Sequence, residues 1–504
     1  MRATTIGELR SSGYTPLPVK EEMRKNLIEK LRRKETLFPG IIGFDETVIP
    51  ALVNAILAKH DIMLLGLRGQ AKSRLVRQLP SLLDEYIPVI KGCELNDNPF
   101  QPVCKRCVDA IKERGDSVEI DWLHRDARLG EKLATPDVTI ADLIGDIDPI
   151  KAAAQRLHYS HEGVIHFGII PRTNRGIFAI NELPDLQPRI QVGLFNILEE
   201  KDIQIRGFNV RIPLDVVLVF TANPEDYTNR GNIITPLKDR IDSQILTHYP
   251  RTLEDAIHIT SQEASVEREG REIIVPHFFR EIIEQIAFEA RKSEFVDQKS
   301  GVSARLTIAA MENLISNAER RAILTGERYI TPRICDLHYV LPGMTGKVEL
   351  VFEGEQEGSM KVSKALIGKA VRETFKRYFP DPLARKQKKQ QGQEQRNRVE
   401  DTDYNSIIRW FESGNKIEIT DEAPFDAYES ELQKVNGLQD TTIKYMKPQL
   451  KNAQELASAM EFLLDGLHQF SKIAKDEVDN ITMYKDMIGS IFPPSPRGRF
   501  EEEL

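Results

Sequence analysis

Short, wholly apolar runs punctuate the first half of the chain. Ile62 to Leu65, Ile177 to Ile180 and Val216 to Phe220 contain no polar residue. Runs of that length without alternation predict strands buried on both faces, as in a parallel sheet flanked by helices. Each ends in small or polar residues: Gly66, then Asn181-Glu182, then Thr221-Ala222-Asn223. Parallel sheets bind ligands at the carboxyl ends of their strands, so Gly66, Asn181, Glu182 and Asn223 are the first candidates for chemistry. Tyr86 to Ile90 and Gly163 to Phe167 read as further strands. Ile203 to Ile212 alternates apolar and polar residues across Gly207 and predicts a hairpin.

Helical spacing accounts for most of the remainder. It covers Glu22 to Leu31 in a polar leading segment, Val48 to Leu57, and Leu75, Val76, Leu79, Leu82 and Leu83, where Pro80 predicts an end or a kink. Gln191 to Glu199 predicts one amphipathic helix. Farther on, Phe278 to Ala290, Leu306 to Ile323, Thr331 to Leu341 and Val362 to Phe379 carry the same period, as do Leu456, Met460, Leu463, Leu467 and Phe470. The expected fold is α/β, a core of parallel sheet and flanking helices, followed by an α-helical lid and an α-helical C-terminal extension. The expected boundaries are an N-terminal helical extension over 1–36, the α/β core over 37–250, a lid over 251–355 and a helical region over 356–504. Within the last, 385–398 reads as a basic low-complexity linker, and Pro493-Pro494-Ser495-Pro496 with Glu501-Glu502-Glu503 as a disordered tail.

The stretch Ile62 to Ser73 gives that frame its chemistry. A buried strand runs into Gly66-Leu67-Arg68-Gly69-Gln70-Ala71-Lys72-Ser73 and then a helix, the layout of a phosphate-cradling loop. Backbone N–H groups from Arg68 to Ser73 can form an anion nest at the positive end of the helix, with Arg74 beside it. Lys72 is the candidate for the β- and γ-phosphates of ATP and Ser73 for Mg²⁺. Ala71 stands where the strict pattern has Gly, and it is expected to take helical dihedrals. Ile41 and Ile42 are candidates for an adenine contact, and equally for ordinary core. Glu182 is placed to polarise an attacking water. Asn181 stands where an Asp is usual, so it would approach Mg²⁺ through water and offers the ion less charge, which bears on hydrolysis more than on binding. Asn223 ends its strand where a γ-phosphate would lie, although Asn is also a common turn former.

Cys93, Cys104 and Cys107 lie in one loop of a Cys-rich segment over 93–107. Three soft ligands suggest Zn²⁺ with a fourth to be found, for which His124 is the candidate and distant Cys335 a poor one. Four cysteines in 504 residues do not make a disulfide scaffold. Net charge is −8, which argues against a nucleic-acid surface, the 385–398 run included. No apolar run approaches the roughly eighteen residues of a spanning helix, and Met1 to Thr5 leads into no apolar targeting segment. The expectation is a cytoplasmic protein with no membrane partner.

Taken in order, Gly66 to Ser73, Asn181-Glu182, Asn223-Pro224 and Leu237-Lys238-Asp239-Arg240 resemble AAA+ ATPases of the magnesium-chelatase ATPase-subunit and MoxR group, over roughly residues 37 to 345. Asp142 to Asp148 is similar to the region that carries that group's helix-two insert, here about 137–170. The resemblance implies a sensor 1 role for Asn223, an arginine finger at Arg240 and a sensor 2 arginine at Arg305, with Arg172 and Arg175 facing a neighbouring subunit. It implies ATP binding and Mg²⁺-dependent hydrolysis in a ring, commonly hexameric, that remodels a partner bearing a von Willebrand factor A domain. Metal insertion into a cofactor is one special case of that activity. The rival expectation is a nucleotide-binding scaffold that turns over little ATP. A transcription-activating or helicase role is weaker, because the chain lacks a Gly-Ala-Phe-Thr-Gly-Ala loop.

Overall fold

The computed structural model describes residues 2–148, 150, 162–205, 211–224, 232–383, 403–478 and 480–487. The chain divides into two units, Met1–Tyr249 and Pro250–Leu504.

Five parallel strands form the sheet of the first unit: β1 (Ile62–Leu65), β2 (Leu129–Leu133), β3 (Gly176–Asn181), β4 (Val216–Ala222) and β5 (Ser243–Leu246). Their order is β5-β1-β4-β3-β2, with Leu65 opposite Ala222 and Ile180 opposite Phe220. The unbroken apolar runs are explained by burial on both faces. Met63, Phe178, Ile180, Leu218 and Phe220 enter one core, while Ile62, Leu64, Ile177, Ala179, Val217 and Val219 enter the other. Tyr86–Ile90 is a strand, as predicted, but it pairs antiparallel with Ile120–His124 outside the central sheet.

Buried polar anchors hold the amino ends of these strands. Asp61, 1 % exposed, accepts the Leu218 N–H at 2.8 Å and pairs with Lys20 Nζ at 2.9 Å and Lys201 Nζ at 3.0 Å. The Asp61 N–H donates to Asp242 Oδ2 at 2.9 Å. Two carboxylates thereby tie the starts of these strands, Asp61 joining β1 to β4 and Asp242 joining β5 to β1. On the far side, Arg128 meets Glu22 in a buried two-point pair, both contacts 2.6 Å, and donates through Nε to the Arg175 carbonyl at 2.8 Å. A carboxylate facing the planar guanidinium in this way makes a strong, directional pair.

That pair corrects the expected boundary at residue 36. Helix Val19–Arg32 is no separate extension, since Val19, Met23 and Leu27 are buried in the sheet's own core and the Val19 N–H is held by Asp215. Gln191 to Glu199 is two short helices, Pro188–Gly193 and Phe195–Glu199, the first opening at a proline whose fixed φ suits an initial turn. The lysine helix ends at Gln78 and Leu79–Leu82 continues as a 3₁₀ turn containing Pro80, as the sequence predicts. Strands Asp202–Gln204 and Arg211–Pro213 form the expected hairpin, whose tip lies outside the described residues. In the expected insert, Gly145–Ile147 pairs antiparallel with Ile165–Phe167, and 151–161 lie outside the described residues.

The second unit has one core rather than a lid and a separate extension. His277–Ala290, Arg305–Thr325, Ser359–Tyr378 and Ala453–Gln469 all bury residues in a single cluster. Phe278 stacks on Phe462 with ring centroids 4.6 Å apart, joining segments on both sides of the expected boundary near 356. The helix predicted over Thr331 to Leu341 is a 3₁₀ segment that begins only at Ile334, Pro332 disfavouring helical dihedrals at Thr331 and Arg333 being extended. The C-terminal part is not purely helical: Ile417–Thr420, Ile481–Lys485 and Ala474–Val478 make a small antiparallel sheet. The 385–398 linker and the tail after 487 lie outside the described residues.

Two stability predictions follow. Arg128→Ala leaves Glu22 charged, buried and unpaired, at a cost of about 3–5 kcal/mol, so the melting transition of the first unit should drop by several degrees. A drop too small to measure would contradict the structural role assigned to the pair. In the second unit, burial raises the Glu284 carboxyl from 4.5 to about 7, against hydrogen bonds from Thr260 and Thr307. The folded form then holds a proton that the unfolded chain releases, so this group's contribution to stability is full below pH 4.5 and declines as pH rises to about 7. Glu284→Gln should flatten melting temperature against pH across that window, and an unchanged slope would refute the assignment.

Candidate nucleotide site

The loop after β1 is held in place from β5. Thr247 donates from Oγ1 to Gln70 Oε1 at 2.7 Å and from its N–H to the Leu65 carbonyl at 2.7 Å. Tyr249 donates from its hydroxyl to the Arg68 carbonyl at 2.9 Å. Gly66 allows this approach, since a Cβ there would collide with Thr247 Oγ1 and Gln70 Oε1. Gly69 has φ 74°. Ala71 differs from expectation: φ 55° and ψ 14° put it in the left-handed region, as the N-cap of helix Lys72–Gln78. That conformation explains why the strict pattern has Gly here, because an L-residue with a Cβ pays about 1–2 kcal/mol for it.

Lys72 is buried, with Nζ donating to the carbonyls of Gly66 and, at 3.1 Å, of Leu67. The ammonium is thus folded back over the loop's own backbone. Ser73 is exposed in the first helical turn, where N–H groups have no intrahelical partner.

Parallel register brings the other candidates to the same edge. Gly66 donates its N–H to the Ala222 carbonyl at 3.1 Å, so Asn223 emerges beside the start of the loop. Asn223 is buried, and its Oδ1 has no hydrogen-bond partner among the described residues. An unmet acceptor in a buried position is costly, and bound water or ligand is the usual reason for one. On β4, Thr221 joins β3 to this edge: its Oγ1 accepts the Glu182 N–H at 3.1 Å and donates to Asn181 Oδ1 at 3.3 Å. Glu182 has φ 57° and ψ 52°, a left-handed conformation that turns its side chain off the strand line. Such strain in a non-glycine residue is characteristic of functional positions.

The remaining candidates are distributed differently. Ile41 is buried in the sheet's core with Leu64 and Leu75, and Ile42 is half-buried. Arg240 ends helix Thr235–Arg240, pairs with Glu199 at 2.9 Å and lies over the Phe195 ring at 4.5 Å. Arg172 is exposed. Arg175 cannot face a neighbour: it is buried with Nη1 donating to the Pro88 carbonyl at 2.7 Å, and burial lowers the pKa of its guanidinium. Arg305 is the exposed first residue of helix Arg305–Thr325 in the second unit.

His124 is not the fourth member of the cysteine group. Its ring lies against Tyr86 at 4.9 Å and its Nδ1 faces Asp126 at 3.3 Å, while the group itself is Cys93, Asp97, Cys104 and Cys107. Asp97, Thr221, Thr247 and Tyr249 were not among the sequence candidates. The threonine at 221 interrupts an otherwise apolar strand, and that lone polar position was a usable signal; Thr247 carried none.

No family model matches the chain. It is 27 % identical over 339 residues to the chloroplastic magnesium-chelatase subunit ChlI of Nicotiana tabacum, covering 63 % of this chain and 75 % of that one. To the ChlI subunit of Nephroselmis olivacea it is 28 % identical over 280 residues, covering 53 % and 70 %. These likenesses and the ordered motifs support an AAA+ ATPase of the magnesium-chelatase subunit I type. Among solved structures, a complex of subunits BchI and BchD of magnesium chelatase superposes with TM-score 0.34 at 19 % identity, covering 64 % of this chain and 98 % of that one. A score that low adds nothing to the strand order and the ordered motifs of this AAA+ core. Among the described residues no helix is long and apolar enough to cross a membrane.

Residue 71 offers a direct test of the loop geometry. Ala71→Gly should keep or tighten ATP affinity and raise the melting temperature slightly, whereas Ala71→Val, β-branched at positive φ, should weaken affinity at least about tenfold. Equal affinities for the two variants in an equilibrium titration would show that residue 71 is not left-handed in solution.

Proposed function

We propose that this AAA+ protein binds ATP at the carboxyl edge of β1, β4 and β3 and hydrolyses it in a ring, using the cycle to remodel a partner protein. The observation that carries the reading is the meeting of three features at that edge: the Lys72 loop, the unpartnered Asn223 oxygen and the strained Glu182. Phosphoryl transfer to water is mainly positioning and charge neutralisation. Lys72 would leave the loop carbonyls for phosphate oxygens. Glu182 would accept a hydrogen bond from the attacking water, and Asn223 would orient that water from the opposite strand. Ser73 and Asn181 offer oxygen donors of the kind Mg²⁺ prefers, and the ion when bound neutralises phosphate charge. Arg240, released from Glu199, is the candidate for reaching the γ-phosphate from an adjoining subunit. The partner the family suggests carries a von Willebrand factor A domain, and a cytoplasmic setting fits this role.

Asn181 favours a second reading, a scaffold that holds ATP and turns it over slowly, because a neutral amide engaged with Thr221 gives less charge than a carboxylate. Mg²⁺-dependent phosphate release separates the two. In the motor reading, specific activity rises with protein concentration as rings form, and Glu182→Gln lowers it at least about a hundredfold. Arg240→Ala should do the same without weakening ATP binding. Native activity no greater than that of Glu182→Gln at ring-forming concentrations would establish the scaffold reading instead.

A further inference from the structure

The loop between the strand Tyr86–Ile90 and helix Lys105–Arg114 takes no part in the nucleotide site, yet it gathers four metal-ligating side chains. The donor atoms of Cys93, Asp97, Cys104 and Cys107 lie within 4.8 Å of one another. Cys93 Sγ and Cys104 Sγ are 3.8 Å apart. A tetrahedral zinc site with Zn–S bonds of about 2.3 Å has edges of about 3.8 Å, so the thiols already stand at coordination spacing.

The surrounding hydrogen bonds suit thiolates. Cys93 Sγ accepts the Leu95 N–H at 3.3 Å, and Cys104 Sγ accepts the Cys107 N–H at 3.4 Å as the N-cap of the ten-residue helix Lys105–Arg114. Helix N-termini and N–H donors stabilise the anionic sulfur that a metal requires.

Asp97 supplies the independent observation. It is fully buried, and its Oδ2 accepts the N–H groups of Val103 at 3.1 Å and Cys104 at 3.0 Å. Its Oδ1 is buried with no hydrogen-bond partner among the described residues. A carboxylate fixed at one oxygen and bare at the other, beside three thiols, is oriented as a ligand and is otherwise a cost to the fold.

We propose that Cys93, Asp97, Cys104 and Cys107 bind one structural zinc ion, with Asp97 Oδ1 as the fourth ligand. All four positions are taken by protein, so the site is closed and not catalytic. Its task follows from what the loop holds. The Leu95 carbonyl accepts from Asn174 Nδ2 at 2.9 Å, Pro88 and Asn96 carbonyls accept from Arg175, and Asn96 Nδ2 donates to the Arg172 carbonyl at 2.9 Å. Cys107 is also buried with Ile6 and Leu9 of the amino-terminal helix Ile6–Ser11. The ion therefore braces the turn that starts β3 and the packing of the amino-terminal helix.

The test is metal analysis of the full chain purified without chelator from zinc-supplemented cells. The expected result is about one zinc per chain, retained through dialysis, and tetrahedral cobalt-thiolate absorption when Co²⁺ replaces it. Cys104→Ser should lose the metal, Asp97→Asn should weaken its retention at least about tenfold, and His124→Ala should keep it. Zinc removal should lower the melting temperature of the native chain. Native protein with neither stoichiometric zinc nor cobalt absorption overturns the proposal, whatever the variants do. Retention unchanged in Asp97→Asn overturns the assignment of the fourth ligand.

Discussion

The level at which β1, β4 and β3 end is the constraint on which the first unit depends. Three side chains from distant parts of the chain, Lys72, Glu182 and Asn223, can act on one phosphate only if their strands stop at a common edge. Hydrogen bonding between parallel strands fixes spacing but tolerates slippage where every residue is apolar, because a displaced run buries much the same surface. The buried carboxylate of Asp61 removes that freedom for β1 and β4 by taking the Leu218 N–H at their far ends. The Arg128–Glu22 pair reaches the turn before β3 through the Arg175 carbonyl. Charge is thus buried away from the site, at the opposite ends of the strands, to hold the working ends in line.

The edge itself is comparatively unsatisfied. Ala71 and Glu182 hold left-handed dihedrals, and Asn223 Oδ1 has no partner among the described residues. Each costs free energy, and each is tolerated because well-packed strands on both sides leave the chain no cheaper path. Lys72 belongs to the same account, its ammonium taken up by the carbonyls of Gly66 and Leu67. The loop is held by Thr247 and Tyr249, and on the proposed reading ATP binding requires mainly the rotation of the Lys72 side chain.

Most of the central sheet was legible in the sequence because fully buried strands have so plain a signature: β1, β3 and β4 were visible as unbroken apolar runs, and the residues at their ends, Gly66, Glu182 and Asn223, do meet at one edge. What escaped was long-range or conformational. Pattern could not show that helix Val19–Arg32 belongs to the core, because its buried face includes Glu22, which pairs with a residue 106 positions away. The dihedrals of Ala71 were misjudged because the helix begins one residue later than the motif suggests. His124 was named as a fourth ligand on residue type alone, whereas the loop's path between Cys93 and Cys104 puts Asp97 inside the group. In the second unit, Ile417–Thr420 alternates over too few residues to stand out from helical surroundings.

The central claim is that three strand ends form one triphosphate site, and peptide-resolved hydrogen exchange tests it most directly. Addition of a slowly hydrolysed ATP analogue with Mg²⁺ should slow exchange in the peptides spanning 66–75, 181–183 and 222–224 together, with the same dependence on analogue concentration. Slowing confined to other regions of the chain, or different concentration dependences for these three segments, would contradict the account.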